Sequence, residues 1–198
     1  MMMIIRGDIT EIVGPLSSGR SSLLVSAVRD VTRAGAVAAI VDTDHAFDPA
    51  SAATGGVDLR RLFWVRCGGR RSVALCAADL LTRCPGFALV ALDVGESPPR
   101  LPLTTAFRLR FAARRSGTGL VVLGSRRITG AAAALVVETS RGAVQWTGPA
   151  CTPTRLARVE ARTRTARLQG ASLASSRAQV GRLPLSDDRD SSWCWLTA

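Results

Sequence analysis

The stretch Gly14 to Ser21, "GPLSSGRS", has the G-x-x-x-x-G-x-S spacing of a loop that holds phosphate. Such a loop turns backbone N–H groups into a nest at a helix N-terminus, where the helix dipole also favours an anion. Gly14 and Gly19 suit the tight backbone path, and Ser21 offers the hydroxyl that ordinarily holds Mg²⁺. With Pro15, Ser17, Ser18, Arg20 and Ser22 they form the candidate nucleotide-binding set. Arg20 is the fault in this pattern. The chemistry asks for a compact lysine ammonium between the β and γ phosphates, and a planar, forked guanidinium does not replace it in a tight site. The sequence therefore allows ATP with Mg²⁺, or no cofactor, and puts efficient transfer of a γ-phosphate in doubt.

Two acidic groups extend the candidate site. "FALVALD" is an apolar run ending in Asp93, placed where a second acidic strand end would orient Mg²⁺ through water, although strand-end aspartates are also common for structural reasons. "IVDTDHAFDP" gathers Asp42, Asp44 and Asp48 at the end of another strand, beside the place where phosphates sit in an open α/β sheet. Asp44 is the candidate general base and Asp48 a further nucleotide contact; a solvated acidic turn with His45 as an ordinary polar residue is the competing reading.

These groups need a scaffold, and the chain supplies an alternating one. "DITEIV", "AVAAIVD", "RLFWVR", "FALVALD" and "GLVVLGS" are short apolar runs closed by turn residues, as buried strands are. Between them Ser18–Arg33, Arg71–Cys84 and Leu103–Arg115 have helical periodicity. The order predicts an α/β fold with a mostly parallel twisted sheet and helices on both faces. After Gly130, "AALVVET", "AVQWTG", "RLARVEART" and "TARLQG" read as four short strands in hairpin order, which predicts antiparallel additions at the C-terminal end. Residues 1–170 are expected to form the core domain and 171–198 a polar tail containing Trp193 and Trp195. Within that tail "QVGRLPL" resembles, with one residue too many, the peptides that dock on the replication sliding clamp, and Leu183 and Leu185 packing on their own domain is the plainer alternative.

Composition narrows the partners. The chain of 198 residues has a formal net charge of +11, which favours an anionic partner such as single- or double-stranded DNA. All 26 basic residues are arginine, and lysine, asparagine and tyrosine are missing, a bias that a GC-rich genome explains without function. The arginines singled out for nucleic acid are Arg108, Arg110, Arg114, Arg115, Arg126 and Arg127; a solvated basic surface is the alternative. Five cysteines without a C-x-x-C pair, and one histidine, speak against a disulfide framework or a zinc site. Apolar runs too short for a bilayer and the lack of a leader pattern predict a cytoplasmic protein with no membrane partner.

Taken together the segments resemble the RecA recombinase core, roughly from Ile9 to Val137. "EIVGPLSSGRSSLL" resembles its phosphate loop, "IVDTDHAFDPASAATGGVDLRRL" its acidic segment, and "FALVALDVG" its acidic strand. The resemblance implies a RecA-like P-loop core, and the departures bear on activity. Arg20 replaces the lysine, Asp44 the catalytic glutamate, Ser51 falls near the adenine-stacking tyrosine, and Gly124-Ser125 stand where an Asn-Gln sensor would be. RecA's N-terminal docking segment and its large C-terminal domain are not expected here, and the two DNA-binding loops would be short or poorly matched.

The short chain with its hairpin-rich ending is similar to the ImuA family, RecA-like and SulA-like members of bacterial mutagenesis cassettes. That similarity implies an accessory or regulatory role in the SOS response and translesion synthesis, with RecA and the polymerase-like ImuB as partners and RecA filament activity as the process limited. Two alternatives stand beside it: an active DNA-dependent ATPase or recombinase paralogue, and a non-specific arginine-rich DNA-binding module.

Overall fold

The computed structural model describes residues 4–97, 100–148, 155–168 and 179–182. Six parallel strands form the body of one sheet: β1 (Ile9–Val13), β2 (Val37–Asp42), β3 (Leu62–Arg66), β4 (Phe87–Asp93), β5 (Gly119–Gly124) and β6 (Leu135–Thr147). Two antiparallel strands, β7 (Arg155–Leu168) and β8 (Gln179–Arg182), extend it beyond β6, giving the order β3-β2-β4-β5-β1-β6-β7-β8. Four helices accompany the parallel strands: α1 (Arg20–Arg33), α2 (Pro49–Thr54), α3 (Arg71–Arg83) and α4 (Leu103–Ser116). The α/β architecture expected from the alternating pattern is the one observed.

Strand periodicity sorts the core into two layers. Ile9, Val41, Val90, Leu92, Leu120 and Val122 point to one side, where α3 and α4 cover them with Ala74, Ala78, Ala106, Leu109 and Ala113. Ile12, Ala38, Ile40, Leu89, Val121 and Leu123 point to the other, under Leu24, Ala27 and Val28 of α1 and Ala52 of α2. Each fully buried leucine or isoleucine of this kind contributes about 2 kcal/mol. Burial on both faces is why these strands read as continuous apolar runs.

The C-terminal end differs from the expectation of four short strands. "AALVVET" and "AVQWTG" fall largely in the single strand β6, which runs parallel to β1 before turning outward with β7, while "RLARVEART" and the described residues of "TARLQG", Thr165 to Leu168, form β7. The Ser-Arg-Gly at 140–142 looks like a turn but lies at a register shift between Arg141 and Val144. A Cβ on Gly142 would lie 2.8 Å from the Glu160 carbonyl oxygen, so glycine is there for close strand approach. Within the segment assigned to the tail, Gln179–Arg182 pairs with β7; Leu183, Leu185, Trp193 and Trp195 lie outside the described residues. Among the described residues no helix is long and apolar enough to cross a membrane.

Candidate nucleotide site and the contacts that close it

The phosphate-type loop falls at the C-terminal end of central strand β1 and leads directly into α1. Its backbone has the curvature of an anion nest: Ser17 has φ +58°, and Gly19, at the helix N-cap, has φ +89°. Only glycine takes the second of these at little cost. No side chain caps α1 and no acidic residue occupies its first turn, so its leading N–H groups have no anionic side chain on them. The backbone fits a phosphate.

The side chains do something else with it. Arg20 is buried, donates from Nη1 to the Gly14 carbonyl at 2.6 Å, and pairs through Nη2 with Glu96. The guanidinium thus ties the two ends of the loop together. Burial pushes its pKa down and Asp93 works against that. Ser18 is buried as well, with its hydroxyl 2.6 Å from the Thr139 hydroxyl, which also donates to the Val13 carbonyl at 3.2 Å. Thr139 and Ser18 pack on Gly14, and Ala161 of β7 stands against Gly19. Strands β6 and β7 thereby press on the loop from the side opposite β5.

The remaining predicted residues take several positions. Pro15, Ser17 and Ser21 are exposed, and Ser22 is half-buried. Asp93 ends β4 and accepts the Gly95 N–H at 2.9 Å; its pKa is raised, first by burial and then by Asp42 and Asp44, against the opposing pull of Gly95 and Arg20. Asp44 contacts Gly95 and lies 3.8 Å from Arg71 in a loose ion pair. Asp48 is the N-cap of α2, accepting from the Ala50 and Ser51 N–H groups at 3.1 Å, a structural duty. Asp42 is fully buried and holds the turn after β2 by accepting from Ala46, Phe47 and the Trp64 indole. His45 accepts from Arg66 through Nδ1. Among the described residues no group of three or more His, Cys, Asp or Glu is clustered for a metal ion.

Most of the arginines considered for nucleic acid have internal partners. Arg110 is buried against Asp8 at 2.8 Å, Arg114 joins the same carboxylate at 3.2 Å, Arg127 pairs with Glu138 at 2.9 Å, and Arg108 lies 3.9 Å from Asp79. Arg126 also has an interaction, and Arg115 is exposed.

Three residues of the site were not singled out by sequence reasoning. Glu96 sits three positions after Asp93 on the same loop, so its nearness to the site was legible from spacing. Thr139 comes to the loop only through the pairing of β6 with β1, and nothing local marks it. Glu11, buried in β1, accepts from the Ile128 and Thr129 N–H groups and from the Thr129 hydroxyl at 2.6, 3.1 and 2.7 Å, fixing the segment that follows β5.

A parallel sheet with a glycine-turn nest between its central strand and the following helix defines a P-loop α/β protein. Residues 3–99 match the RecA N-terminal domain. Over 88 residues the chain is 41% identical to the RecA protein of Picosynechococcus sp. strain PCC 7002, covering 44% of this chain and 25% of that protein. Similarity to the RecA proteins of Borrelia hermsii (40% over 88 residues; 44% and 24% covered) and Prochlorococcus marinus strain MIT 9211 (41% over 96 residues; 48% and 26% covered) is of the same kind. The matched stretch is about a quarter of the length of these relatives. By these matches residues 3–99 are similar to the N-terminal domain of RecA proteins.

Proposed function

We propose that this RecA-like chain is an accessory protein of DNA-damage tolerance, acting through protein contacts and limiting RecA filament activity rather than through its own ATP turnover. The observation that carries the reading is the closure of the phosphate loop: Arg20 is held by the Gly14 carbonyl and Glu96, and Ser18 by Thr139. A triphosphate would have to displace a buried, paired guanidinium, and no lysine would then meet it. Asp44, Asp93 and Ser21 are the residues left to serve Mg²⁺ and water if nucleotide does enter.

The open edge of the sheet supports a role in contact-making. Among the described residues β3 pairs only with β2, and Phe63 and Leu59 beside it are exposed large apolar side chains. An exposed apolar edge is a template for an added strand. RecA and the polymerase-like ImuB are the partners the reading names, in the cytoplasm, and a bound chain without a reciprocal surface would stop head-to-tail growth of a filament.

The test is ATP hydrolysis by RecA on single-stranded DNA while this protein is titrated in, with the protein alone as the blank. Suppression over a silent blank is the expected outcome, and Arg20→Lys is expected to leave the blank silent because Glu96 and Thr139 still close the loop. A DNA-dependent rate in the wild-type blank, or no effect on RecA together with no capture of RecA or ImuB, overturns the reading.

A further inference from the structure

A groove of about 360 Å³ runs along α4 and reaches Arg83 in the last turn of α3. Phe107, Phe111 and Ala112 supply its apolar part, and Phe111 is 61% exposed. Arg83, Arg108 and Arg115 line it as well, all three at the surface. Arg108 and Arg115 are seven positions apart, so they lie on one side of α4, next to the row that carries Phe107 and Phe111.

The charge of this groove is not balanced from within. Asp79 takes Arg83 through both carboxylate oxygens at 3.0 Å and lies 3.9 Å from Arg108. Arg115 has no acidic partner among the described residues. Three guanidinium groups thus share one carboxylate beside an exposed phenyl ring. The ligand that fits is a segment carrying several carboxylates and a large apolar side chain.

The chain carries such a segment itself. Beyond Arg182, outside the described residues, the sequence reads "LPLSDDRDSSWCW", with three aspartates to one arginine, whereas the whole chain has 26 basic to 15 acidic residues. Two tryptophans follow the aspartates within a few positions. The reach is sufficient: four strand spacings separate β8 from β5, against which α4 lies, about 19 Å across the sheet. The 13 positions from Arg182 to Trp195 extend over roughly 43 Å, which leaves length to pass over the helix layer.

We propose that residues 185–195 of this same chain dock in the groove, with an indole of the Trp193–Trp195 pair against Phe107 and Phe111 and with Asp187, Asp188 and Asp190 facing Arg83, Arg108 and Arg115. A tethered segment meets its groove at a local concentration on the order of millimolar, so contacts of modest strength suffice. An acidic peptide of another protein would have to displace it.

The experiment is cross-linking of the full chain with a short bismaleimide, at a dilution that suppresses bridges between molecules, followed by peptide mapping. Cys67 is buried, Cys84 is exposed next to Arg83, and Cys194 stands between the two tryptophans. With the exposed Cys76 changed to serine, the reporters are Cys84, Cys151 and Cys194. A bridge between Cys84 and Cys194 of one chain is the expected main product of Cys194. Arg108→Glu with Arg115→Glu should lower its yield roughly fivefold or more, and adding Asp188→Arg with Asp190→Arg should recover most of the loss. Phe111→Ser should lower the yield with no change of charge. Thermal unfolding of each variant checks that these exposed changes leave the body of the fold intact. A main bridge to Cys151 would place the segment toward the connection of the β6–β7 ribbon, and a main bridge between chains would make the occupant a second copy. Either result, no bridge from Cys194, or a Cys84 bridge indifferent to the groove variants would overturn the proposal.

Discussion

Asp8 shows how one carboxylate organises an edge of this fold. Burial pushes its pKa up, but the Arg110 guanidinium, the Ile9 N–H and Arg114 outweigh that, and the carboxyl is held below its ordinary value. A depressed carboxyl contributes stability that is present above its unfolded value and lost as pH falls through the folded one. Asp8→Asn is therefore expected to cost about 3 kcal/mol near neutral pH, because the buried Arg110 loses the Asp8 carboxylate it packs against, and the gap to wild type should narrow on acidification. Urea denaturation at pH 7 and near pH 3 measures both. Glu11 presents a different case, since its buried carboxyl group answers three donors and, among the described residues, no cation. Glu11→Ala orphans all three, and a loss of roughly 3 to 5 kcal/mol in the same assay is expected, with Glu11→Gln recovering part of it.

At the level of elements, β6 decides the character of the site. Its first residues complete the parallel sheet against β1, and its continuation carries Thr139 to the phosphate loop and then the ribbon into solvent. Gly142 makes that continuation possible, since any side chain there would meet the Glu160 backbone. Gly142→Val should cost about 1 to 3 kcal/mol and, more tellingly, lower hydrogen-exchange protection in residues 140–147 while leaving β1, β4 and β5 protected. Uniform loss of protection would instead mean that the ribbon and the body unfold as one unit.

For the whole molecule the open edge at β3 matters most. The far end of the sheet is extended by β7 and β8, whereas β3 leaves one row of backbone groups without a described partner and Phe63 half in solvent against Phe87. Phe63→Asp should lower stability by only about 1 kcal/mol, given its exposure, and remove capture of RecA in a pull-down. Wild-type capture by this variant would move the contact surface away from β3.

The sequence by itself determined the body of the fold and the loop. Strands buried on both faces must be apolar throughout, helices covering one face must show a 3.6-residue period, and the nest needs glycine at Gly19; all three are local demands written in consecutive residues. The tertiary structure decided how the loop is used. Whether Arg20 waits for phosphate or pairs with Glu96, whether Thr139 meets Ser18, and whether Arg110 faces DNA or Asp8 all depend on residues 76, 121 and 102 positions apart. Contacts at that separation are set by strand order and register, which no local pattern records. The same reason turned "SRG" from a hairpin turn into a bulge: Gly142 is explained by Glu160 across the ribbon, not by its neighbours in the chain.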